Sequence, residues 1–428
     1  MPQLQEKSVI SRPIKTDIAM KRLIFIGIIS IIAATSYGFT YDNGRASLSP
    51  YPECTSIPEY PDSLTPIFIN HVGRHGSRYP AGSFHTMMLK NALDKADSLK
   101  TITPLGKQLK AETERVIEAT AGRWGELDTI GEKEHREIAG RMYKKYPQLL
   151  DSANISAISS DSPRSIMSMY FFTQQLAKSA EEINITTESG SKFTPLMRNY
   201  ELDEAYQAYR NDTAYTAAYN RFAAANIPIE PILRVLGEEY PLDYSTVYDL
   251  ALAEYYVSAG MNAMGLEHDA SKYFTIGEYR KLWSVFNFRQ YLLYSASLVS
   301  TRPAEIAAPL LQNIVATADS VVTGKLHIAA KLRFGHAETL MPLMALIQAP
   351  GCYYLTHYYD TLADNWKDYE MFPMAANLQL VYFKAPSGKI YVRAEYNEKP
   401  IQLLPGAKSQ YVDWNDLRLR FLELLPLE

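Results

Sequence analysis

The residue types with the clearest chemical potential lie in segment 74–80, which matches the pattern R-H-G-x-R-x-P. In a chain of this composition the pattern arises by chance on the order of one time in ten thousand. Arginine guanidinium groups can hold phosphate oxygens bidentately, and an imidazole can attack the phosphorus that they surround. We therefore predict that His75 takes up a phosphoryl group while Arg74 and Arg78 bind its oxygens. Because cations disfavour the imidazolium form, the same arginines should keep His75 neutral.

Three further residues supply groups that phosphoryl transfer needs. Arg164 follows a Ser-Pro pair and can hold a third phosphate oxygen, and we expect His336 to hydrogen-bond a phosphate oxygen as well. Glu338 is the candidate general acid, which would protonate the leaving ester oxygen and then take a proton from the water that attacks phosphohistidine. A bound phosphate dianion should raise the pKa of Glu338 and help to keep it protonated. No carboxylate cluster in the sequence suggests a metal, and the scheme requires neither a metal nor a cofactor.

Each of these residues also has a purely structural interpretation. A buried histidine is more often a satisfied core residue than a nucleophile, and an acidic residue such as Glu338 in the first turn of a helix usually serves the helix itself. Two arginines flank His75 in the pattern, which favours the chemical interpretation there. For His71 and His85 a structural or capping role is favoured. No context supports a role for three other histidines, His135, His268 and His357.

The candidate residues follow three segments that we interpret as strands leading into helices. Short apolar or alternating runs predict the strands at residues 66–70, 155–160 and 326–334. Helices are predicted from about residue 84, from Pro163 and from about residue 338. In open α/β sheets, ligands bind beyond the carboxyl ends of the strands, where helix N-termini also favour anions. The three junctions therefore predict one anion-binding edge.

These junctions predict an α/β fold with a central, mostly parallel sheet flanked by helices. Two segments rich in Ala, Glu, Arg, Tyr and Leu have helical periodicity instead, and we interpret them as an inserted α-helical cap. The α/β domain is assigned residues 39–99, 146–195 and 291–428, and the cap is assigned residues 100–145 and 196–290. A β-hairpin is predicted where residues 377–384 and 389–396 flank an Ala-Pro-Ser-Gly turn.

The composition excludes several classes of protein. The 428 residues are 47% hydrophobic, which suffices for a large core. No long low-complexity run or fixed-period repeat is present, so disordered and solenoid architectures are disfavoured. The formal net charge is −4 without a basic stripe, which argues against a nucleic-acid partner. An acidic chain binds an anion where positive charge is gathered locally, so the arginines should converge on one site.

Residues 1–38 are interpreted as an N-terminal extension and secretory signal peptide. A Lys-Arg pair precedes an apolar run at residues 23–34, and Ser36 and Gly38 provide small residues at plausible cleavage positions. The run is shorter than the roughly 20 residues that a membrane-spanning helix needs. We expect cleavage to leave no stable membrane span and the mature protein to be periplasmic, secreted or at the cell surface. An uncleaved anchor is the alternative.

The chain contains two cysteines, Cys54 and Cys352. In an oxidising compartment two cysteines can pair, but the sequence does not report their separation, so a disulfide stays open. Neither residue lies in a Cys-x-x-Cys motif or a Cys/His cluster, which argues against a zinc site and against cysteine-based catalysis.

Taken together, the motifs resemble the histidine phosphatase superfamily in its acid phosphatase branch. Segment 74–80 indicates the branch, and segment 160–164 is similar to the one that supplies a further phosphate-binding arginine. Where many members have His-Asp, this chain has His-Ala-Glu at residues 336–338, which is similar to multiple inositol polyphosphate phosphatases. Segments 373–378 and 392–398 also fit that group.

The resemblance covers about residues 45–428, and it implies a histidine-phosphatase-like sheet with a helical insertion, no metal, and hydrolysis of phytate and lower inositol phosphates through phosphohistidine. By position it also makes Arg198 an extra phosphate contact. The nearest alternative is a broader acid phosphatase acting on sugar phosphates or bisphosphoglycerate, because the motifs do not reach the cap, where substrate preference is expected to reside. A less favoured alternative is a non-catalytic phosphate-ester binding protein, against which the intact His75 and Glu338 argue. The sequence leaves the order of dephosphorylation and the oligomeric state open.

Overall fold

A computed structural model describes residues 38–54, 59–243 and 246–426. The chain divides into two compact units, Met1–Thr40 and Tyr41–Glu428, and only residues 38–40 of the first unit are described. The interpreted signal peptide therefore lies outside the described residues except for Gly38, and export stays a prediction. Within the described ranges, no helix has both the length and the apolar character needed to cross a membrane.

Among the described residues, one eight-stranded sheet forms the centre of the second unit. Its strands are β1 (Thr65–Arg74), β2 (Asn154–Ser159), β3 (Asn184–Ser189), β4 (Ala330–Gly335), β5 (Asn377–Lys384), β6 (Ile390–Tyr396), β7 (Lys399–Ile401) and β8 (Val412–Asp413). They lie in the order β3-β2-β4-β1-β5-β6-β7, and β8 pairs with β6. The strands β1 to β4 pair in parallel, whereas β5 to β8 pair antiparallel. The predicted α/β class with a central sheet flanked by helices is confirmed, and β5 and β6 form the predicted hairpin.

Helices surround this sheet. Those of seven residues or more in the described ranges are α1 (Phe84–Leu99), α2 (Pro104–Thr120), α3 (Thr129–Lys145), α4 (Pro163–Ser179), α5 (Glu204–Arg210), α6 (Thr213–Asn226), α7 (Glu230–Leu236), α8 (Val247–Gly260), α9 (Ile276–Tyr294), α10 (Ala308–Val322), α11 (Ala337–Leu346) and α12 (Trp414–Glu423). Shorter helical turns are Asn43–Leu48, Pro147–Leu150, Ser191–Phe193, Thr194–Met197, Asn199–Glu201, Met261–Met264, Ala270–Lys272, Arg302–Glu305, Tyr359–Thr361, Leu362–Asn365 and Asp368–Met371.

The strand bounds differ from the predicted ones where neighbouring strands decide them. The first strand runs on to Arg74 instead of ending at residue 70, because β4 and β5 pair with it on both sides through Gly73. The fourth begins at Ala330 instead of residue 326, since its pairing with β1 and β2 begins there and alternation alone does not locate a partner. Strand β3 was not predicted from the sequence, because it is a mostly exposed edge strand without an apolar pattern.

The parallel register aligns the carboxyl ends of three strands. Arg74 at the end of β1 is opposite Gly335 of β4, and Ser159 at the end of β2 is opposite Phe334. Because parallel neighbours that end level release their loops at one edge, the segments that follow β1, β2 and β4 leave the sheet together. The convergence inferred from the three strand-to-helix junctions is therefore present.

Side chains of β1 alternate between two hydrophobic cores. Phe68 and Val72 belong to the core that includes Leu340 of α11. Ile69 belongs to the core that includes Phe172 of α4. Helices thus cover both faces of the parallel half of the sheet, as is typical of α/β proteins.

The two segments predicted as the cap, residues 100–145 and 196–290, are largely helical. In the first of them, α3 packs Ile138 and Met142 into the core on the α4 face of the sheet. In the second, α9 begins at a capping box in which Thr275 and Glu278 satisfy each other's backbone N–H groups. The division of the chain into domains stays a prediction.

Candidate active site

A cavity of about 320 Å³ opens where β1, β2 and β4 end, and this volume lies in the range of small-molecule sites. The end of β1 and the segments that follow β1, β2 and β4 contribute Arg74, His75, Arg78, Arg164 and Glu338 to its wall. Helices α1, α8 and α9 contribute much of the remaining wall, including Arg289. Four arginines and one carboxylate therefore line the cavity. In a chain of formal net charge −4, positive charge is gathered locally as the sequence analysis required.

Backbone contacts clamp the loop at residues 75–80, here called the motif loop. The His75 N–H donates to the Gly335 carbonyl (3.0 Å), and the His75 carbonyl accepts from the Ala375 N–H (3.0 Å). Gly76 touches the first turn of α3 so closely that a Cβ atom would lie 2.7 Å from the Cα of Gly131. The motif loop is thus held between β4, the segment before β5 and helix α3.

Glu134 of α3 organises the motif loop through its buried carboxylate. Its oxygens accept hydrogen bonds from the Ser77 N–H (2.7 Å), the Ser77 hydroxyl (2.8 Å) and the Tyr51 N–H (2.8 Å). Burial raises the pKa of Glu134, although these hydrogen bonds oppose the rise. This positioning residue could not be predicted from the sequence, because no local pattern separates Glu134 from its neighbours Glu132 and Glu137.

His75 is held in one tautomer by its own loop. The ring nitrogen Nδ1 lies 2.9 Å from the Gly76 carbonyl. Since a carbonyl can only accept, Nδ1 carries the proton and Nε2 keeps the lone pair. Burial, followed by the charges of Arg74, Arg164 and Arg78, holds the pKa of His75 well below its usual range. A neutral imidazole with a free Nε2 lone pair is the form that a nucleophile requires.

Arg74, which is buried, and Arg78, which is half-buried, both remain cationic. Arg74 donates from Nη1 to the carbonyls of Ser47 (2.5 Å) and Phe372 (2.7 Å), and Arg78 donates to the Tyr79 carbonyl (2.8 Å). Burial lowers the pKa of Arg74 to about 10 and that of Arg78 to about 9, so both are charged at neutral pH. Their buried Nε atoms have no hydrogen-bond partner in the described structure. Anionic oxygens would satisfy such donors.

Arg164 projects from the first turn of α4 and meets His336. Its Nη2 donates to His336 Nδ1 at 3.4 Å, so the proton of the neutral His336 ring is on Nε2, which lies 2.9 Å from the Ser160 hydroxyl. Burial lowers the pKa of His336 to about 3. His336 does not line the cavity, although its ring centroid lies 5.6 Å from that of His75. The structure therefore shows it supporting Arg164, and its predicted bond to a phosphate oxygen stays a prediction.

Glu338 lies in the first turn of α11 and lines the cavity. Burial alone would raise the pKa of Glu338, but the His336 ring, its own backbone N–H and Arg74 together hold that pKa below its ordinary value. Without a ligand the carboxyl group is therefore ionised at neutral pH. A general-acid role requires that acidic solution or a bound dianion supply the protonated form.

Arg198 is not brought into the cavity wall. Its guanidinium forms an ion pair with Asp161 at 3.0 Å and a second one with Glu201. Because two carboxylates already neutralise this cation, the structure offers a complete local explanation for it. Its expected contact with phosphate stays a prediction.

The other histidines divide between core and cavity. Burial lowers the pKa of His71 and of His135 to about 3, and both rings pack against Phe334. His85 instead lines the cavity and packs against Tyr256 of α8, with ring centroids 4.3 Å apart and the ring planes tilted by 34°. A structural or capping role had been favoured for His85 from the sequence. Arg289 and Tyr256 were not predicted, because they lie on helices without a local motif.

Two further questions from the sequence concern metals and cysteines. Within the described ranges, no three His, Cys, Asp or Glu side chains are grouped so that they could hold a metal ion. Cys352 is buried and is not part of a disulfide.

The chain is similar to known proteins over most of its length. The family model described as the histidine phosphatase superfamily (branch 2) matches residues 67–397. A multiple inositol polyphosphate phosphatase from Bifidobacterium longum, solved in complex with inositol hexasulfate, has a TM-score of 0.72 and 18% identity, covering 89% of this chain and 97% of that chain. A phytase from D. castellii has a TM-score of 0.65 and 16% identity, covering 90% of this chain and 85% of that chain. At such identities the likeness establishes the fold alone. No curated protein sequence matches the chain.

Proposed function

The chain belongs to branch 2 of the histidine phosphatase superfamily, and we propose that it hydrolyses inositol polyphosphates, phytate among them, through a phosphohistidine intermediate on His75. Family membership and the cavity support a phosphatase. The observation that carries the mechanism is the neutral His75 ring, whose Nδ1 proton is fixed by Gly76 while arginines surround it.

In the first step, His75 Nε2 attacks the phosphorus of the ester. The phosphorus–oxygen bond to the leaving group breaks, and Glu338 gives its proton to the departing alkoxide oxygen, so that an alcohol leaves and a carboxylate remains. Arg74, Arg78 and Arg164 stabilise the charge on the three oxygens that do not leave. The Nδ1 proton stays on the ring because the Gly76 carbonyl accepts its hydrogen bond.

In the second step, water attacks the phosphorus of phosphohistidine. Glu338 takes a proton from that water, the phosphorus–nitrogen bond breaks, and inorganic phosphate leaves. Glu338 is protonated again and His75 regains its Nε2 lone pair, so the site returns to its starting state. Because the pKa of unliganded Glu338 lies below its ordinary value, Glu338 is a carboxylate at neutral pH, which is the form that can accept this proton.

Two observations support inositol phosphates as the substrate class. The His-Ala-Glu segment at residues 336–338 is similar to the corresponding motif of multiple inositol polyphosphate phosphatases. The B. longum protein of that kind has the same fold. The cavity also holds more positive charge than one phosphate group needs, since a fourth arginine joins the three around His75. Sugar phosphates and bisphosphoglycerate are the competing substrates.

Phosphate release from phytate, glucose 1-phosphate and a bisphosphoglycerate would discriminate between these classes. We expect phytate to have the highest kcat/KM, and negligible release from phytate would reject the proposed substrate. His75→Ala should lower release at least about 1000-fold. His327→Ala, which changes an exposed histidine outside this cavity, is the matched control and should leave release at the wild-type level.

The covalent step has its own test. Protein quenched during turnover of a substrate with radioactive phosphorus should carry the label as acid-labile, base-stable phosphohistidine, and His75→Ala should carry none. Turnover by the wild type without any labelled protein would contradict the intermediate, and release by none of the substrates would leave a phosphate-ester binding protein as the better description.

We also propose that the protein is exported, on the basis of the sequence of residues 1–38. Expression of the full chain followed by N-terminal sequencing should find a mature protein that begins at about residue 39 in the periplasm or outside the cell. An intact N-terminus on protein in the cytosol would contradict export.

A further inference from the structure

The part of the cavity wall that comes from helices α1, α8 and α9 contains an arginine that forms no ion pair with any described carboxylate. Arg289 lies on α9, beside Phe286 and Gln290, and all three line the cavity. Among the described residues, no carboxylate forms an ion pair with Arg289. In this respect it differs from Arg280 of the same helix, which pairs with Asp364 at 2.7 Å.

The surroundings of Arg289 keep it charged without neutralising it. Burial alone would lower the pKa of Arg289, but the hydroxyl groups of Tyr256 and Tyr215, with smaller effects from two other tyrosines, raise that pKa above its ordinary value. A phenol at neutral pH is uncharged, so the charge of Arg289 has no ion-pair counterion among the described residues. A partly buried, uncompensated charge costs free energy, and an anionic ligand would offset that cost.

His85 of α1 lies beside this charge. Burial and then Arg289 lower the pKa of His85, whereas the exposed Asp249 acts in the opposite direction. The ring is therefore neutral at physiological pH, with one nitrogen able to donate a hydrogen bond. The ring packs at a tilt against Tyr256 (centroids 4.3 Å apart), and Tyr256 packs edge-on against Phe286 (5.5 Å), which fixes the place of His85 in the wall.

A single phosphate bound at His75 would leave the donors of Arg289 and His85 unused. The three arginines contributed by β1, the motif loop and α4 match the three non-leaving oxygens of one phosphoryl group. Arg289 and His85 are contributed by other elements, α9 and α1, and they line the same cavity. A ligand that satisfies both groups must carry at least two anionic groups on one small framework.

We infer that Arg289 and His85 bind a second phosphate group of the same substrate molecule while the first is held at His75. The inference rests on the proposed function, because it concerns the same cavity, and it specifies the substrate as a small molecule with two or more phosphate groups. Monophosphates would occupy only the half of the cavity that contains His75.

Kinetics on two substrates test this subsite. Arg289→Gln should lower kcat/KM for inositol hexakisphosphate by about 10- to 100-fold, because a charge-assisted contact to the substrate is lost. For p-nitrophenyl phosphate the loss should be below about threefold, since only a screened, remote charge changes. Arg289→Lys should lose less than the glutamine variant, as it keeps the charge without the guanidinium fork.

The matched control is Arg221→Gln, which removes an exposed arginine of α6 that does not line the cavity. This variant should retain wild-type kcat/KM on both substrates. Equal losses on the two substrates for Arg289→Gln, or no loss on either, would overturn the inference. A normal thermal unfolding midpoint for Arg289→Gln excludes misfolding as the cause of a selective loss.

A binding measurement separates this inference from the proposed function. In the His75→Ala background, calorimetry with inositol hexasulfate should show that Arg289→Gln weakens affinity about tenfold or more, whereas affinity for inorganic phosphate changes less than about threefold. Unchanged affinity for the hexasulfate would reject the subsite even if the protein is a phosphatase. If the wild type released no phosphate from any ester but Arg289→Gln still weakened hexasulfate binding, the proposed function would fail and the subsite would stand.

Discussion

Replacing Gly131 with alanine tests whether helix α3 sets the position of the nucleophile. A Cβ atom on Gly131 would lie 2.3 Å from the carbonyl oxygen of Ser77 and 2.8 Å from its amide nitrogen. Ordinary van der Waals contact begins near 3.4 Å, so α3 and the motif loop would have to separate by about 1 Å. Because the clashing atoms of Ser77 are backbone atoms, no side-chain rotation can relieve the contact.

The expected effect follows from that displacement. His75 lies two residues before Ser77, and a misplacement of about 1 Å at a reacting group can cost about 100-fold in rate. We expect kcat for p-nitrophenyl phosphate to fall about 10- to 100-fold in Gly131→Ala. Overpacking of this kind should also reduce the free energy of unfolding by about 1–3 kcal/mol, which a lowered thermal unfolding midpoint would report.

Gly140→Ala is the matched control on the same helix, because no atom beyond the adjoining residues and the nearby backbone of α3 lies within 4 Å of the Cβ position at Gly140. An alanine in a helix interior is more favourable than glycine by roughly 0.5–1 kcal/mol, so this variant should be slightly stabilised and fully active. If Gly131→Ala matched Gly140→Ala in both kcat and unfolding midpoint, the contact between α3 and the motif loop would not position His75.

Three other predictions concern the acid, the pH dependence and the support of Arg164. Glu338→Gln should lower kcat for inositol hexakisphosphate about 100-fold or more but kcat for p-nitrophenyl phosphate less than about tenfold, since that leaving group needs little protonation; equal losses would contradict the general-acid role. The wild-type kcat/KM should rise as the pH falls from about 7 to about 5. The pKa of free Glu338 is low, so acid increases the protonated fraction of this general acid. The depressed pKa of His75 keeps the nucleophile neutral over the same range. A flat or falling wild-type profile would contradict this assignment, and the rise should be absent in Glu338→Gln. His336→Ala should raise KM for phosphate esters about tenfold, since Arg164 loses its neighbouring ring nitrogen; an unchanged KM would mean that other groups hold Arg164.

The active-site residues that follow the ends of strands could be predicted from the sequence. His75, Arg164 and Glu338 each follow a predicted strand, and each strand can be recognised from the apolar residues of its own short segment. Parallel strands release the loops that follow them at one edge of a sheet. Their common cavity could therefore be inferred without coordinates. The bounds of β1 and β4 could not be predicted accurately, because pairing with neighbouring strands decides them. Pairing extends β1 to Arg74, and β4 begins only at Ala330.

The residues that the sequence did not reveal act over long separations in the chain. Glu134 binds the Ser77 backbone from a helix whose pattern resembles that of any half-exposed helix. Arg289 acquires its significance only because α9 packs so that this side chain lines the cavity, while no carboxylate of the described residues forms an ion pair with it. Conversely, Arg198 was expected from its position in the sequence to contact phosphate. Its side chain forms ion pairs with Asp161 and Glu201 and does not line the cavity.

Arg74 hydrogen-bonds the carbonyls of Ser47 and Phe372, which are separated from it by 27 and 298 residues. An unfinished chain on the ribosome can therefore display the whole arginine–histidine motif and still lack one of the acceptors that orient it. Contacts of such sequence separation form late and slowly. Translation products that stop before residue 372 would be inert, and synthesis of nearly the entire polypeptide must precede the first turnover.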